Sequence, residues 1–537
     1  MRYNVTRRTL IIGSSAVVAL VLVAVLLIDA FLRPKIRDPF DRAITGLSEA
    51  TQTQVVELKD GDAFDLRATM VRKQIGSATV KMLAYNGSVP GPTLKVQQGA
   101  EVAITVTNET DLPTTVHWHG IRLDNHFDGA PHATQQPIPV GDSFTYRVRF
   151  PDAGTYWYHP HLREDYAQEQ GLYGNIIVTP NDPTYWGPVN REETVALDDI
   201  LLEDGQIAAF SQSGPTYSAM GRFGNLMLVN GETAYHLDAQ QGEVVRFYLT
   251  NTANTRMFNI RLPGAQMKLV GSDSGRYEHE TFVDEVLLSP SERAVVDVLF
   301  EHPGQFALEH QTPERTYILG EVTVGTEHAQ PSFAGAFATL RSSDELVMER
   351  ARLSGDVDRP ADKTLSLVGE MAGMAPQEDE HQDGEHAGPV VEWEDTMNAM
   401  NRRSSPKNMV WKLIDRETGA ENHAIDWRFK TGERVKLRIV NEPNSDHPMQ
   451  HPFHIHGQRF LVLSRDGKAS TNLVWKDTVL VGMGETVEIL VEMSNPGSWM
   501  AHCHIAEHIE SGMMMSFQVE DGVGTTSDTP RAHGGEH

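Results

Sequence analysis

The chain has 537 residues, 40% of them hydrophobic, and a formal net charge of −27. That length exceeds one ordinary domain and suits about three or four; the hydrophobic share is that of a globular protein with a buried core, and the acidity speaks against nucleic acid as a partner. One cysteine, Cys503, rules out an intramolecular disulfide framework; the thiol must be a buried structural group, a reactive thiol or a metal thiolate.

In chain order, the first predicted element is an apolar run from Leu10 to Leu32, behind Arg7 and Arg8 in "VTRRTLI". Some 20 apolar residues suffice to span a bilayer, so residues 1–40 are expected to form a signal or a transmembrane anchor. The paired arginines resemble a twin-arginine signal, whose export machinery carries folded, cofactor-loaded proteins. No clear A-x-A site follows, so a cleaved signal and an uncleaved anchor both stay open. Either places the body outside the cytoplasm, in the periplasm or at the cell surface.

Beyond it the sequence repeats a unit three times. "VQQGAEVAITVTNETDLPTTVHWHGI", "AQQGEVVRFYLTNTANTRMFNIRL" and "FKTGERVKLRIVNEPNSDHPMQHPFHIHG" each hold a Gly, an alternating strand, an Asn, a loop and a further strand. A second echo follows downstream in "DSFTYRVRFPDAGTYWYHPHL", "ERAVVDVLFEHPGQFALEHQT" and "ETVEILVEMSNPGSWMAHCHI". Period-two alternation bounded by Gly, Pro, Asn and Asp is a strand-and-turn pattern. It predicts an all-β chain of three tandem β-sandwich domains, near 50–185, 186–345 and 360–523. The segment 369–403, acidic and bearing Met371, Met374, Met397, Met400, His381 and His386, reads as a long loop or linker. The tail, 524–537, reads as disordered.

The copies differ at fixed positions. Aligned on Gly154, Gly304 and Gly497, the first carries His159-Pro160-His161, the third His502-Cys503-His504, and the second only Glu309-His310-Gln311. The histidine sets survive twice, and the middle domain reads as structural or as a spacer that shapes a site. Four clusters result: "HWHG" at 117–120, "HPH" at 159–161, "HPFHIHG" at 451–457, and "HCHIAEH" with Met513. In a strand, residues i and i+2 share a face, so each H-x-H aims two imidazoles at one point. Four pairs are too many for one metal ion and suit a cluster of about three. Cys503, between two such histidines, faces the other way. A thiolate with two imidazoles and a weak thioether is the blue-copper arrangement; His451, His508 and Met513 can complete it. Zinc would favour a closed tetrahedral set and gives no reason for eight further imidazoles.

With these motifs in this order, residues 50–523 resemble the three-domain multicopper oxidases, among them laccases, bilirubin oxidases and periplasmic cuprous oxidases. The resemblance implies three cupredoxin-like Greek-key domains and four copper ions: one type 1, one type 2 and two type 3. Carried over, type 1 takes His451, Cys503 and His508 with Met513 axial. Type 2 takes His117 and His454. One type 3 copper takes His119, His159 and His504, the other His161, His456 and His502. The implied reaction passes single electrons from a reducing substrate to type 1, then through Cys503 and its flanking histidines to the cluster, where O2 becomes water. Asp128, in "DNHFDGAPH", matches a family carboxylate near the cluster; it also reads as a turn residue before Gly129. Bacterial relatives carry a second carboxylate directly after the histidine matching His508, but this chain has Ile509 there, flanked by Glu507 and Glu510. The implied donor is a phenol or other small organic molecule, or Cu(I), which the soft thioethers of 369–403 suit. The alternative is a copper-binding envelope protein for storage, tolerance or scaffolding, without turnover.

Overall fold

The structure, a computed structural model, describes residues 40–372 and 390–521. The apolar run at 10–32, the tail, Met374, His381 and His386 lie outside those residues. Among the described residues no helix is long and apolar enough to cross a membrane.

Three five-stranded sheets carry the repeated pattern, with four equivalent strands in the same order: the first adds a strand at one edge, the other two at the opposite edge. The first runs Val55–Leu58, Thr93–Gln97, Gly174–Thr179, Gly154–His159, His117–His119. The middle one runs Tyr235–Gln241, Thr316–His328, Gly304–Gln311, Phe258–Arg261, Val286–Leu288. The third runs Trp427–Lys430, Met514–Glu520, Gly497–Cys503, His451–Ile455, Thr478–Val481. A second sheet accompanies each. Alternation explains the layering: in Glu101–Asn108 (EVAITVTN) Val102, Ile104 and Val106 are buried while the intervening residues are not. Side chains facing inward from paired sheets make the cores.

The asparagine at the end of each repeated strand has one structural use in all three places. Asn108 donates through Nδ2 to the carbonyls of Leu112 (2.8 Å) and Ile138 (2.9 Å). Asn251 does so to Arg256 (2.8 Å) and Leu288 (2.9 Å), and Asn441 to Met449 (2.7 Å) and Gly482 (2.8 Å). All three are buried. Each ties the end of its strand to the loop that leads into the next, satisfying carbonyls that would otherwise be costly to bury. In the first and third domains that next strand bears the histidines.

Two elements depart from the sequence reading. A helix, Asp344–Val357, follows the second repeat, its first turn capped by Ser343 Oγ accepting from the Leu346 amide at 3.3 Å. Leu346 and Leu353 pack with Leu461, Leu463, Leu473, Trp475 and Leu490. The segment at 369–403 is not wholly loop: Met371 ends strand Lys363–Met371, and Asn398–Asn401 forms a helical turn. Met371, Met397 and Met400 pack against the third core.

Candidate functional site

The histidine strands meet in pairs. His117 lies opposite His159, and His454 opposite His502, in adjacent antiparallel strands. The first- and third-domain sets interleave: the His117 and His456 rings stack at 3.9 Å, and those of His119 and His454 at 3.7 Å. His504 sits 5.0 Å from both His119 and His159, and His161 5.2 Å from His502. All eight rings are buried.

What each ring does with its two nitrogens tests whether the set suits a metal. Histidine ligands generally commit one ring nitrogen to an acceptor and offer the other. Through Nδ1, His117 donates to the Asp128 carbonyl (2.8 Å), His159 to that of Pro160 (2.8 Å), His454 to that of Asp477 (2.9 Å) and His502 to that of Cys503 (2.8 Å). His456 Nδ1 donates to Asp128 Oδ2 (2.9 Å) and His161 Nδ1 to Glu164 Oε1 (3.0 Å). These six leave Nε2 free. His119 is reversed: Nε2 donates to Asp477 Oδ1 at 3.0 Å and buried Nδ1 has no partner. Neither nitrogen of His504 is engaged. The free atoms converge: His456 Nε2 lies 2.9 Å from His502 Nε2 and 3.2 Å from His161 Nε2. Imine lone pairs so close repel unless a cation sits among them. Burial, reinforced by neighbouring rings, pushes His119, His159, His454, His502 and His504 well below the usual imidazole range, and carries His456 to about 3. These six rings are neutral, as metal ligation requires.

On the opposite side of strand Gly497–Cys503, the Cys503 sulfur lies 3.5 Å from His451 Nδ1 and 3.7 Å from His508 Nδ1. Met513 is buried beside them, its amide donating to the His508 carbonyl at 3.0 Å and its carbonyl accepting from the Cys503 amide at 3.2 Å. Burial pushes the thiol's pKa up, against one amide from Ile505. A nearby cation is what would make it a thiolate. Trp411 stacks on His508 at 4.0 Å and meets His451 edge-on at 4.9 Å. His508 Nε2 donates to the Ala219 carbonyl at 3.4 Å, so a loop of the middle domain lids the ring. That loop is pinned by the third domain: Asn401 Oδ1 accepts from the Met220 amide (3.0 Å) and Ser404 Oγ from that of Ala219 (2.9 Å).

Asp128 is both turn residue and site residue. A Cβ on Gly129, at φ +81°, would lie 1.9 Å from the Val116 carbonyl, so only glycine permits the turn. Burial would raise the Asp128 carboxyl, but His456 and His117 hold it far below the usual range. At Ile509 the side chain is apolar and buried; Glu164, in a short helix, Glu164–Ala167, of the first domain, accepts from His161 Nδ1 at 3.0 Å. Its Oε2 is buried without a partner. Burial lowers the His161 pKa, but Glu164 reverses this and leaves it raised. Glu510 Oε1 accepts from the Glu164 amide at 3.2 Å, and Glu507 Oε2 from the Thr255 hydroxyl at 3.2 Å. Burial, with Asp165 and Glu169 nearby, pushes Glu507 up to about 8.

The sequence reading missed Glu164, Asp477 and Trp411. Asp477 left a trace, as part of a charged pair interrupting the apolar run "NLVWKDTVLV". Glu164 follows His161 by three residues in a stretch with no strand period.

Multicopper oxidase family models match residues 68–183, 203–326 and 393–523, together more than half of the chain. The chain belongs to the multicopper oxidases. A multicopper oxidase of Staphylococcus aureus is 26% identical over 447 residues, 81% of this chain and 83% of that one. Copper resistance protein A of Escherichia coli is 25% identical over 577 residues, 86% of this chain and 93% of that one. The crystal structure of a multi-copper oxidase from Pseudomonas thermotolerans superposes with a TM-score of 0.64 at 25% identity, covering 87% of this chain and all of that one. The oxidase therefore uses copper, takes O2 as acceptor and draws electrons from a small reducing substrate.

Proposed function

We propose that this oxidase holds four coppers and that its preferred donor is Cu(I). The type 1 copper would be held by His451, Cys503, His508 and Met513. His117 and His454 would hold type 2; His119, His159 and His504 one type 3 ion, and His161, His456 and His502 the other. The division is supported where His161, His456 and His502, and likewise His451, Cys503 and His508, bring their ligand atoms together. Bound copper supplies the one-electron oxidation at the thiolate and the four-electron reduction of O2 to water at the cluster.

The chain's own residues do the rest. Cys503 links the two sites covalently through its neighbours His502 and His504. Asp128 Oδ2 keeps the Nδ1 proton on His456, and Glu164 Oε1 keeps it on His161, so both rings present Nε2. Trp411 excludes water from His451 and His508. The two carboxylates, Asp128 and Glu164, lie on different rings of the cluster, and Glu164 stands in for the carboxylate absent at Ile509.

The observation that favours Cu(I) is the lid on His508. Its ring is fully buried and Nε2 is capped by the Ala219 carbonyl. A bulky phenol cannot stack on that edge, whereas a bare ion needs only a file of soft ligands. Met397 and Met400 lie beside Asn401, which pins the lid, and Met220 belongs to the lid itself. The relative named copper resistance protein A fits this reading. An extracytoplasmic location, with export by the twin-arginine route and an anchor if residues 10–32 are uncleaved, belongs to the same proposal and rests on the sequence alone.

The test is oxygen uptake by the copper-loaded protein with Cu(I) and with a methoxyphenol, side by side. Fast uptake with Cu(I) and little with the phenol is expected. The reverse would make this a laccase. Full copper with no uptake from either would return the copper-binding envelope reading.

A further inference from the structure

The middle domain contributes none of the proposed ligands, yet one of its side chains reaches the cluster. Arg293 opens strand Arg293–Phe300 and is fully buried. Its Nη1 donates to Asp477 Oδ1 at 2.7 Å and its other arm grips Oδ2, a two-point clamp on a carboxylate of the third domain. Its Nε donates to the Thr155 carbonyl at 2.9 Å, in the first-domain strand that ends at His159. One guanidinium thus joins all three domains beside the cluster.

Asp477 passes this restraint on. Its Oδ1 accepts from His119 Nε2, and its carbonyl accepts from His454 Nδ1 at 2.9 Å. These two rings belong to different domains and stack on each other at 3.7 Å. His119 is the ring that turns Nδ1 inward: its Nε2 is committed to the Asp477 carboxylate, with Thr478 Oγ1 also at 3.1 Å, so Nδ1 is the free nitrogen. The space is built for the pair. A Cβ on Gly120, at φ +83°, would stand 2.3 Å from Asp477 Oδ2 and 2.9 Å from Arg293 Nη2. The glycine after His119 is where the clamp passes.

We propose that Arg293 is a positioning residue of the middle domain that, through Asp477, fixes His119 in its Nδ1-presenting orientation and holds the first- and third-domain ligands in register. The middle domain is then part of the oxygen-reducing machinery without binding metal. The inference rests on the ligand assignment above, which assigns His119 to a type 3 ion and His454 to type 2.

The experiment compares the full-length, copper-loaded wild type with Arg293→Met, Arg293→Lys and the double variant Arg293→Met/Asp477→Asn. Three quantities are read: the blue thiolate-to-copper band, copper per chain, and the type 2 electron paramagnetic resonance line shape. Removing one partner of a buried pair leaves an unpaired charge and can unfold a chain; the double variant removes both charges and retains an acceptor for His119. The expected result is an unchanged blue band in the double variant, with an altered type 2 line shape and less cluster copper, because the substituted amide is no longer held by a guanidinium. Arg293→Lys should lie between it and the wild type, as lysine keeps the charge without the two-point geometry. A double variant indistinguishable from the wild type would overturn the inference, since neutralising Asp477 would then be all that Arg293 does. A wild type that loads only the blue site would instead refute the ligand assignment itself.

Discussion

Strand Gly497–Cys503 in the third domain and strand Gly304–Gln311 in the middle one occupy the same place in sheets of the same order. Counted from the leading glycine, His310 takes the position of Cys503. Both are buried and face their own domain's core. Cys503 meets two imidazole nitrogens, whereas His310 stacks on Tyr317 at 5.5 Å and accepts a backbone hydrogen bond from Asn259 at 3.0 Å. Burial takes His310 to about 4, so it too is a neutral ring, but among the described residues the ring stacked beside it is that of Tyr317, not a second imidazole. The scaffold therefore fixes where a side chain points, and the neighbours on the adjacent strand decide whether that becomes a metal site.

The sharpest contrast is to change the two equivalent positions. Cys503→Ser should remove the blue band and bring oxygen uptake to background, while His310→Phe should leave band and uptake as in the wild type. Equal damage from both would break the comparison. Next, Asp128→Asn should cut turnover by about 10- to 100-fold, the usual cost of losing a group that orients a ligand, with the blue band unchanged; steady-state oxygen uptake and the absorption spectrum together decide it. Glu164→Gln should cost less, about tenfold on the same scale, because glutamine keeps an acceptor for His161 Nδ1; a loss as large as that of Asp128→Asn would give Glu164 a further role.

Smaller effects concern stability. Asn251→Ala in the middle domain leaves two buried carbonyls unsatisfied and should cost about 1–3 kcal/mol in denaturant unfolding, with copper content unaltered. The weakest expected signal is in pH. Burial raises Glu169 to about 7, with Asp199 adding to this and Arg222 opposing it. A folded value above the ordinary 4.5 means a stability contribution present at low pH and lost as pH rises from about 4.5 to about 7. The melting temperature of the wild type should therefore fall relative to that of Glu169→Gln between pH 5 and pH 8; a rise would reverse the sign.

The H-x-H clusters could be found in the sequence because their pairing depends only on local alternation. His502 and His504 share a face with Cys503 opposed, whatever the rest of the chain does. The residues that orient those rings depend on which strands become neighbours in space. Asp477 reaches His119 across 358 positions and Arg293 reaches Asp477 across 184, and no periodicity encodes either meeting. Glu164 was out of reach for another reason: it sits on a single helical turn, too short to show a pattern. The helix Asp344–Val357 escaped because only Leu346 and Leu353 of its hydrophobic face are fully buried, leaving a weak stripe in a charged stretch.

The three buried asparagines carry a consequence for how such a chain can change. Asn108, Asn251 and Asn441 each moor a loop by a side-chain bond to one of its carbonyls and bond a second carbonyl elsewhere, and the moored loops, 109–116, 252–257 and 442–450, differ in length. The same mooring serves loops leading into strands with ligands and into one without. Loop and strand end thus form an exchangeable cassette on a fixed frame. Metal-binding capacity can be lost or gained in one domain while the other two keep their shape.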